Sequence, residues 1–403
     1  MTYTPTYLVT IGGETVTSFV VDSLEVTNGR TSIQEQPYPS SLNMRLYGDD
    51  DTYWPYNIQD TIQVRIDGSN VFSGDIIDLT VTVSGGLPGS RIQYIDVSAM
   101  GSTAKLARQV LGVHSYPQQG DGDRIAAIVT DANSLTWDEW PTYEQWQTVY
   151  AQTTWATAGV SGNFDPVRIS QPGDYTVSAL AAGTYTALEA CQDAAQSGRG
   201  IFFDNLVFNV PGYVAYSARN TPSATVALTA DYIMLDGLQR SLSTSDIVTQ
   251  AQVNYTGGTA VVSEDPFAYG LFVGVRDTSL AIASEALGQA QAFADSRSNP
   301  ISYPTQIRLA LHLDSADSIR AYVMQYDPTI KLTYAAGVFP NAIYPNALEC
   351  FMEGSTLQAS NTEVYLTITQ SITTMTYPHT AWFQEPNNLD WASYTATTQW
   401  KDA

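Results

Sequence analysis

Residues 29–100 read GRTSIQEQPYPSSLNMRLYGDDDTYWPYNIQDTIQVRIDGSNVFSGDIIDLTVTVSGGLPGSRIQYIDVSAM, and most of this stretch alternates apolar with polar residues. Leu42, Met44 and Leu46 point one way, and Ile62, Val64 and Ile66 do the same in the next run. Val71 to Gly74, Ile76 to Val83 and Ile92 to Val97 follow, each bounded by Gly, Asp, Asn or Pro. Period-two alternation broken by closely spaced turn residues predicts antiparallel strands that close into a small barrel or sandwich. No residue in the stretch has a catalytic setting.

The chain around it has 403 residues, enough for two to four domains. Apolar residues make up 44% and aromatic ones 11%, so a large core can be buried. Only 14% are charged, so Thr, Ser, Asn, Gln and Tyr must supply most of the polar surface. Seventeen Lys and Arg against 40 Asp and Glu leave a net charge of −23, and the cations are scattered singly. Nucleic-acid binding through phosphates needs several cations in a track, so this balance argues against it. An acidic balance suits either solubility or a channel wall to which DNA does not stick. Cys191 and Cys350 lie far apart, outside any metal or redox spacing, and read as buried hydrophobes. The start MTYTPTYLVTIGG has no basic region followed by an apolar one, which predicts no secretory leader. No run has the length of a membrane-spanning helix.

Before the quoted stretch, Tyr7 to Ile11 and Val16 to Val21 predict a hairpin through Gly12-Gly13. After it, Ala104, Leu106, Ala107, Val110 and Leu111 predict a short helix. Asp123 to Ala132 predicts a better one, capped by Asp123 with Ile125, Ile128, Val129 and Ala132 on one face. The acidic run at 48–51 lacks calcium-loop spacing and reads as a solvated turn, and the run at 120–123, which leads into this helix, reads as a turn and helix cap. Residues 135–155 concentrate Trp137, Trp140, Tyr143, Trp146, Tyr150 and Trp155, which suits a local core, a contact with a neighbouring subunit or a sugar platform. Thr184 to Ala195 predicts a helix ending at Ser197-Gly198, followed by a hairpin over 201–208 with an Asp204-Asn205 turn. Strands are expected over 247–255 and 260–262. A helix is expected over 277–297 with a stripe of Leu280, Ala283, Leu287, Ala290 and Ala294. Further strands are expected over 306–313, 329–334, 348–357 and 363–369. The order Asp60 to Val64, Phe72, Ile76 to Val83, Ile92 to Val97 is echoed by Asp327 to Leu332, Phe339, Leu348 to Leu357, Val364 to Ile368. After Gln370 periodicity is lost but aromatics persist at Tyr377, Trp382, Phe383, Trp391, Tyr394 and Trp400.

Hydrolytic chemistry needs a base beside its nucleophile. The three histidines, His114, His312 and His379, sit near no nucleophile elbow or metal motif. No P-loop, HExxH or dinucleotide fingerprint is present. The expectation is a protein without catalytic, cofactor or metal residues.

Gly29-Arg30-Thr31-Ser32 on a short strand, then Gln36-Pro37, the loop Tyr53-Trp54-Pro55-Tyr56 and the step Phe72-Ser73-Gly74 together resemble the opening domain of phage minor tail proteins. These belong to the baseplate or tail-tip hub family of long-tailed phages. The helix over 184–195, the Gly-Arg-Gly at 198–200 and the aromatic hairpin resemble that family too, as does the strand, strand, helix, strands order after residue 226. The resemblance implies a β-rich α+β fold with two antiparallel β-barrel-like domains separated by a small α/β domain. The boundaries are 1–105 for the first barrel, 106–225 for the insertion with its Trp-rich segment 135–155, 226–370 for the second barrel with helix 277–297, and 371–403 for the aromatic extension. It further implies a homotrimer in the virion that closes the tail tube around a conduit for DNA. Expected partners are the distal tail protein, the tape-measure protein and tip or fibre proteins. Candidate interface residues are Trp140, Tyr143, Trp146, Tyr150, Trp382, Phe383, Trp391 and Trp400. A glycan-binding β protein and a hub carrying a cell-wall hydrolase are the competing readings.

Overall fold

A computed structural model describes residues 3–32, 35–49, 53–85, 91–136, 169–206, 209–220, 222–234, 238, 247–263, 270–297, 303–341, 343–344 and 346–373. The first unit consists of β1 (Tyr7–Ile11), β2 (Glu14–Thr15), β3 (Val20–Gly29), β4 (Ser41–Asp49), β5 (Thr61–Ile66), β6 (Ser69–Ser84) and β7 (Ile92–Met100). The alternation read from the sequence sets their faces: Leu42, Met44, Leu46, Ile62, Val64, Ile66, Ile95, Val97 and Ala99 are all buried. Each such Val, Leu or Ile contributes about 1.5–3 kcal/mol by leaving water. Trp54 of the aromatic loop meets Phe19 edge-on at 5.3 Å and Tyr56 at 4.9 Å, against the same core.

Three expectations change here. The opening hairpin stops at Thr15, and β3 pairs with β4 instead of β1. Gly29 ends β3, so Arg30 to Ser32 are not strand. The two runs at 71–74 and 76–83 are one strand, β6, with a register shift between Ile76 and Asp78. This bulge lets Ser69–Asp75 pair with β5 while Asp75–Ser84 pair with β7, because an extra residue bends a strand from one neighbour toward another.

The middle of the chain holds α1 (Thr103–Leu106), β8 (Val110–Gly112), β9 (Gln119–Gly120), α2 (Asp121–Thr136), β10 (Thr176–Val177), β11 (Gly183–Thr186), α3 (Ala187–Ser197), β12 (Ile201–Asn205) and β13 (Val210–Val214). The helix expected over 104–111 is a single turn, since Val110 and Gly112 of β8 pair with β11 instead. Helix α2 begins at Asp121, before the expected cap Asp123. Helix α3 begins at Ala187 because Thr186 and Glu189 form a capping box, each side chain bonding the other's backbone N–H. Asp204 and Asn205 are not a turn: both lie in β12, opposite Pro211 and Val210. Ile125, Ile128, Cys191, Ala194 and Tyr213 share one core here, and both cysteines are buried free thiols.

The last part holds β14 (Thr225–Leu228), β15 (Ile233–Met234), β16 (Gln250–Tyr255), β17 (Gly258–Ser263), β18 (Val273–Asp277), α4 (Ala283–Arg297), β19 (Gln306–Ala310), α5 (Asp317–Val323), β20 (Lys331–Tyr334), β21 (Leu348–Ser360) and β22 (Val364–Ile372). Strands β16, β17 and β18 form a small sheet against α4, with their own core. The helix expected from 277 starts at 283, since Val273–Asp277 pair in parallel with β16. Its buried face is Ala286, Gln289, Ala290 and Ala294, whereas Leu287 of the expected stripe is 50% exposed.

Strands β14, β15 and β19 to β22 join the first unit in one thirteen-stranded sheet, ordered β15, β19, β22, β21, β3, β4, β7, β6, β5, β1, β2, with β20 and β14 alongside β21. One continuous hydrophobic cluster runs beneath both halves. The echo in the sequence corresponds to two antiparallel trios, β5-β6-β7 and β20-β21-β22. The middle strand of each is long and bulged, at Ile76/Asp78 and at Met352/Gly354. The protein is β-rich, with a large mainly antiparallel sheet.

Candidate functional site

The two β units meet where Ser23–Gly29 of β3 pair with Gly354–Ser360 of β21. At the end of this seam Gly29 faces Gly354. Gly29 has φ +78°, and a methyl group there would run into the Glu353 carbonyl, Gly354 and the Tyr326 ring. A methyl on Gly354 would meet the Arg30 backbone. Glycine at both positions is what lets the two main chains close on each other.

The bulge in β21 leaves Glu353 without a partner across β22 and turns it inward, where it is fully buried. Its carboxylate accepts from Arg30 Nε at 2.8 Å and pairs with Arg30 Nη2 at 2.7 Å. It also accepts from Arg219 Nη2 at 2.9 Å and from the Ser371 hydroxyl. Arg219 donates its Nε to the Pro328 carbonyl at 3.0 Å and stacks on Phe351 with 4.2 Å to the ring centre. Tyr326 donates to the Glu353 carbonyl at 2.9 Å. One carboxylate thus collects the first unit through Arg30, the 3-10 turn Ser217–Asn220 through Arg219, and the second unit through Ser371. Burial alone would raise this carboxyl, but Arg219, Arg30 and the Ser371 hydroxyl outweigh it and bring it down to about 2.

A second buried carboxylate ties the middle of the chain to the first unit. Asp204 accepts from Ser40 N at 2.7 Å, Ser102 Oγ at 2.9 Å, Thr103 N at 2.7 Å and Thr103 Oγ1 at 3.0 Å. Burial raises its pKa while these donors oppose the rise. Beside it, Gln36 donates to Gln196 Oε1 at 3.1 Å and Gly200 O at 3.0 Å and accepts from Phe202 N at 3.1 Å.

The outward face of the seam is polar across several strands. By register, Tyr365, Gln358, Glu25, Asn43, Ser98 and Asp78 form one cross-strand row. Thr367, Thr356, Thr27 and Ser41 form the next. A shallow open concavity of about 580 Å³ lies over this face, lined in part by Glu25, Arg45, Asp96, Gln358, Glu363 and Tyr365. Arg45 and Asp96 pair at 2.7 Å, which leaves Glu25 and Glu363 to make the lining acidic. Hydroxyls, amides and carboxylates thus supply the side chains that project from this face.

The interface candidates Trp140, Tyr143, Trp146, Tyr150, Trp382, Phe383, Trp391 and Trp400, with His379, lie outside the described residues. His114 lies 3.3 Å from Asp131, which also accepts from the Tyr116 hydroxyl. His312 lies 3.3 Å from the Val364 carbonyl, edge-on to Tyr365. Among the described residues no three His, Cys, Asp or Glu side chains are grouped to hold a metal. Reading the sequence missed Glu353, Arg30, Arg219 and Asp204 as joint-forming residues. A signal existed for one of them: Glu353 is the only charge between Leu348 and Ser360 apart from Glu349.

No protein-family model matches the chain, and no curated protein matches it. Solved structures are similar over most of its length. The 43 kDa tail protein of prophage MuSo2 from Shewanella oneidensis aligns with 92% of this chain and 97% of its own, at TM-score 0.57 and 10% identity. The tail protein from Neisseria meningitidis MC58 aligns over the same shares at TM-score 0.57 and 11% identity. The E. coli c3393 protein, a component of the type VI secretion system with structural similarity to T4 tail proteins gp27 and gp5, aligns with 92% of this chain and 78% of its own, at TM-score 0.53 and 11% identity.

Proposed function

Taking as premise that the chain has the fold of phage tail proteins, we propose that it is a structural virion protein, the hub of a tail tip or baseplate. Each half of the large sheet is one barrel-like unit, and three copies set six such units in a ring that continues the tail tube. The distal tail protein and the tape-measure protein lie on one side, and tip or fibre proteins on the other. The polar face over the seam lines the conduit, and DNA passes it without binding. The chain carries out no reaction in this role.

The observation that supports this reading best is the seam between β3 and β21. It sets two β units side by side in one sheet with one continuous polar face, as a ring with twice as many units as chains requires. The acidic lining and the net charge of −23 suit a wall that DNA slides past. Light scattering on the purified chain and electron cryomicroscopy of isolated tails test it together. A trimer in solution or at the tail tip is the expected outcome. A chain that is monomeric in solution and missing from tails overturns it.

A further inference from the structure

The edge of β6 that faces away from β7 is paired with β5 only over Ser69–Asp75. Ile76 still reaches that side, donating to Asp60 O at 3.0 Å and accepting from Gln59 N at 2.7 Å. From Ile77 to Ser84 no strand among the described residues pairs with it.

The direction of the backbone groups along this edge follows from two observations. Ile76 faces the β5 side, and the bulge between Ile76 and Asp78 consumes one residue, so Asp78, Thr80, Thr82 and Ser84 face β7. Leu79, Val81 and Val83 therefore project outward. In agreement, the Leu79 N–H stands outside the ladder and donates to Asp78 Oδ1 at 2.8 Å. The acidic residue covers the first outward donor, and Val81 and Val83 carry the next two.

The side chains of the same residues continue the core layer. Val21, Leu46, Ile95 and Val81 form one cross-strand row. The first three are at most 4% exposed, and Val81, at the edge, is 45% exposed; Val83 is 53% exposed. A hydrophobic row that ends uncovered at an open edge is a template to which one more strand can add. Leu79 to Ser84 carry no charge in a chain of net charge −23, so a like-charged copy meets no repulsion from these residues. The chain also joins its own two units by this kind of antiparallel edge pairing, at β3 and β21.

We propose that the β6 edge from Leu79 to Val83 pairs with a strand of a second copy of this chain, extending the sheet across the subunit boundary. The inference rests on the reading that several copies assemble, and in a threefold ring the partner strand is a different one from β6. Val81 and Val83 donate to that strand, and their side chains are covered by it.

The test uses the full-length chain. Val81→Pro removes an outward donor and leaves the β6–β7 ladder intact, whereas Thr82→Pro breaks the ladder. Val81→Pro is expected to keep the wild-type circular dichroism and to fall to monomer by light scattering. Amide exchange on the wild type provides a measurement without a variant: Val81 and Val83 should exchange at least about tenfold faster when the assembly is diluted to monomers. A Val81→Pro chain that assembles like the wild type, with both amides indifferent to dilution, overturns the edge pairing and leaves the assembly reading standing. A wild type that is monomeric at every concentration, with both amides unprotected, overturns the edge pairing, and its absence from isolated tails as well overturns the assembly reading.

Discussion

Arg30 and Glu353, 323 positions apart, are bonded through both main chain and side chain. The Arg30 N–H donates to the Glu353 carbonyl at 2.9 Å, and its guanidinium grips the Glu353 carboxylate at 2.7 and 2.8 Å. The pair closes the end of the seam between the two β units, and Arg219 adds the middle of the chain to it. Two guanidiniums share one carboxylate, so the cluster is costly to desolvate and costlier to break.

Removing Glu353 strands both arginines. Glu353→Gln should destabilise the fold by about 3–5 kcal/mol, read from the midpoint of urea unfolding. Replacing Arg30, Arg219 and Glu353 together with apolar residues of similar volume should recover at least about half of that loss. An unchanged midpoint in the single variant would mean that the cluster does not hold the seam.

The same carboxylate sets an acid limit. Its pKa is about 2 in the folded chain against an ordinary 4.5, so its stabilisation is complete above about pH 4.5 and lost as pH falls toward 2. Melting temperature should drop across this window in the wild type and less steeply in Glu353→Gln.

Asp121 has the opposite sign. It is fully buried at the start of α2, where burial pushes it up to about 7 although the Tyr213 hydroxyl and the Tyr175 N–H favour the charged form; Asp174 adds to the rise. The folded chain holds this proton more tightly than the unfolded one, so Asp121 makes stability fall as pH rises from about 4 to 7. Asp121→Asn should flatten that slope, and a carboxyl carbon signal titrating near 7 should vanish from the NMR spectrum.

Gly29→Ala should cost about 1–2 kcal/mol from the left-handed backbone alone, with a further loss from collision with Glu353 and Gly354. Gly68→Ala, also at positive φ but with open space around it, should cost only the backbone part. Comparing the two melting temperatures isolates the close approach at the seam.

Asp204→Ala leaves Ser40 N and Thr103 N buried without their acceptor. A loss of at least about 3 kcal/mol is expected, with faster amide exchange along β12 and α1, because orphaned donors forfeit their desolvation cost.

Composition and alternation determine a good deal of this protein. Leu42, Met44, Leu46, Ile62, Val64 and Ile66 declare which face of each strand is buried, since side chains alternate along a strand whatever its neighbour. The turn at Gly12-Gly13 and the helix ending at Gly198 are equally local. The likeness to tail proteins rests on the order of such local pieces.

Only the tertiary structure decides which edges meet. Nothing in Ser23 to Gly29 names Gly354 to Ser360 as its partner, because main-chain hydrogen bonds are alike at every residue and their pairing is set by what packs around them. Asp204 has the composition of a turn residue, yet it is a buried acceptor because Ser40, Ser102 and Thr103 bring donors from far along the chain. The residues from Val71 to Val83 read as two strands, yet they are one, because a bulge costs little in sequence and takes its meaning from the two neighbours it serves. Alternation is a property of one strand, whereas a seam, a bulge and a buried carboxylate are properties of several.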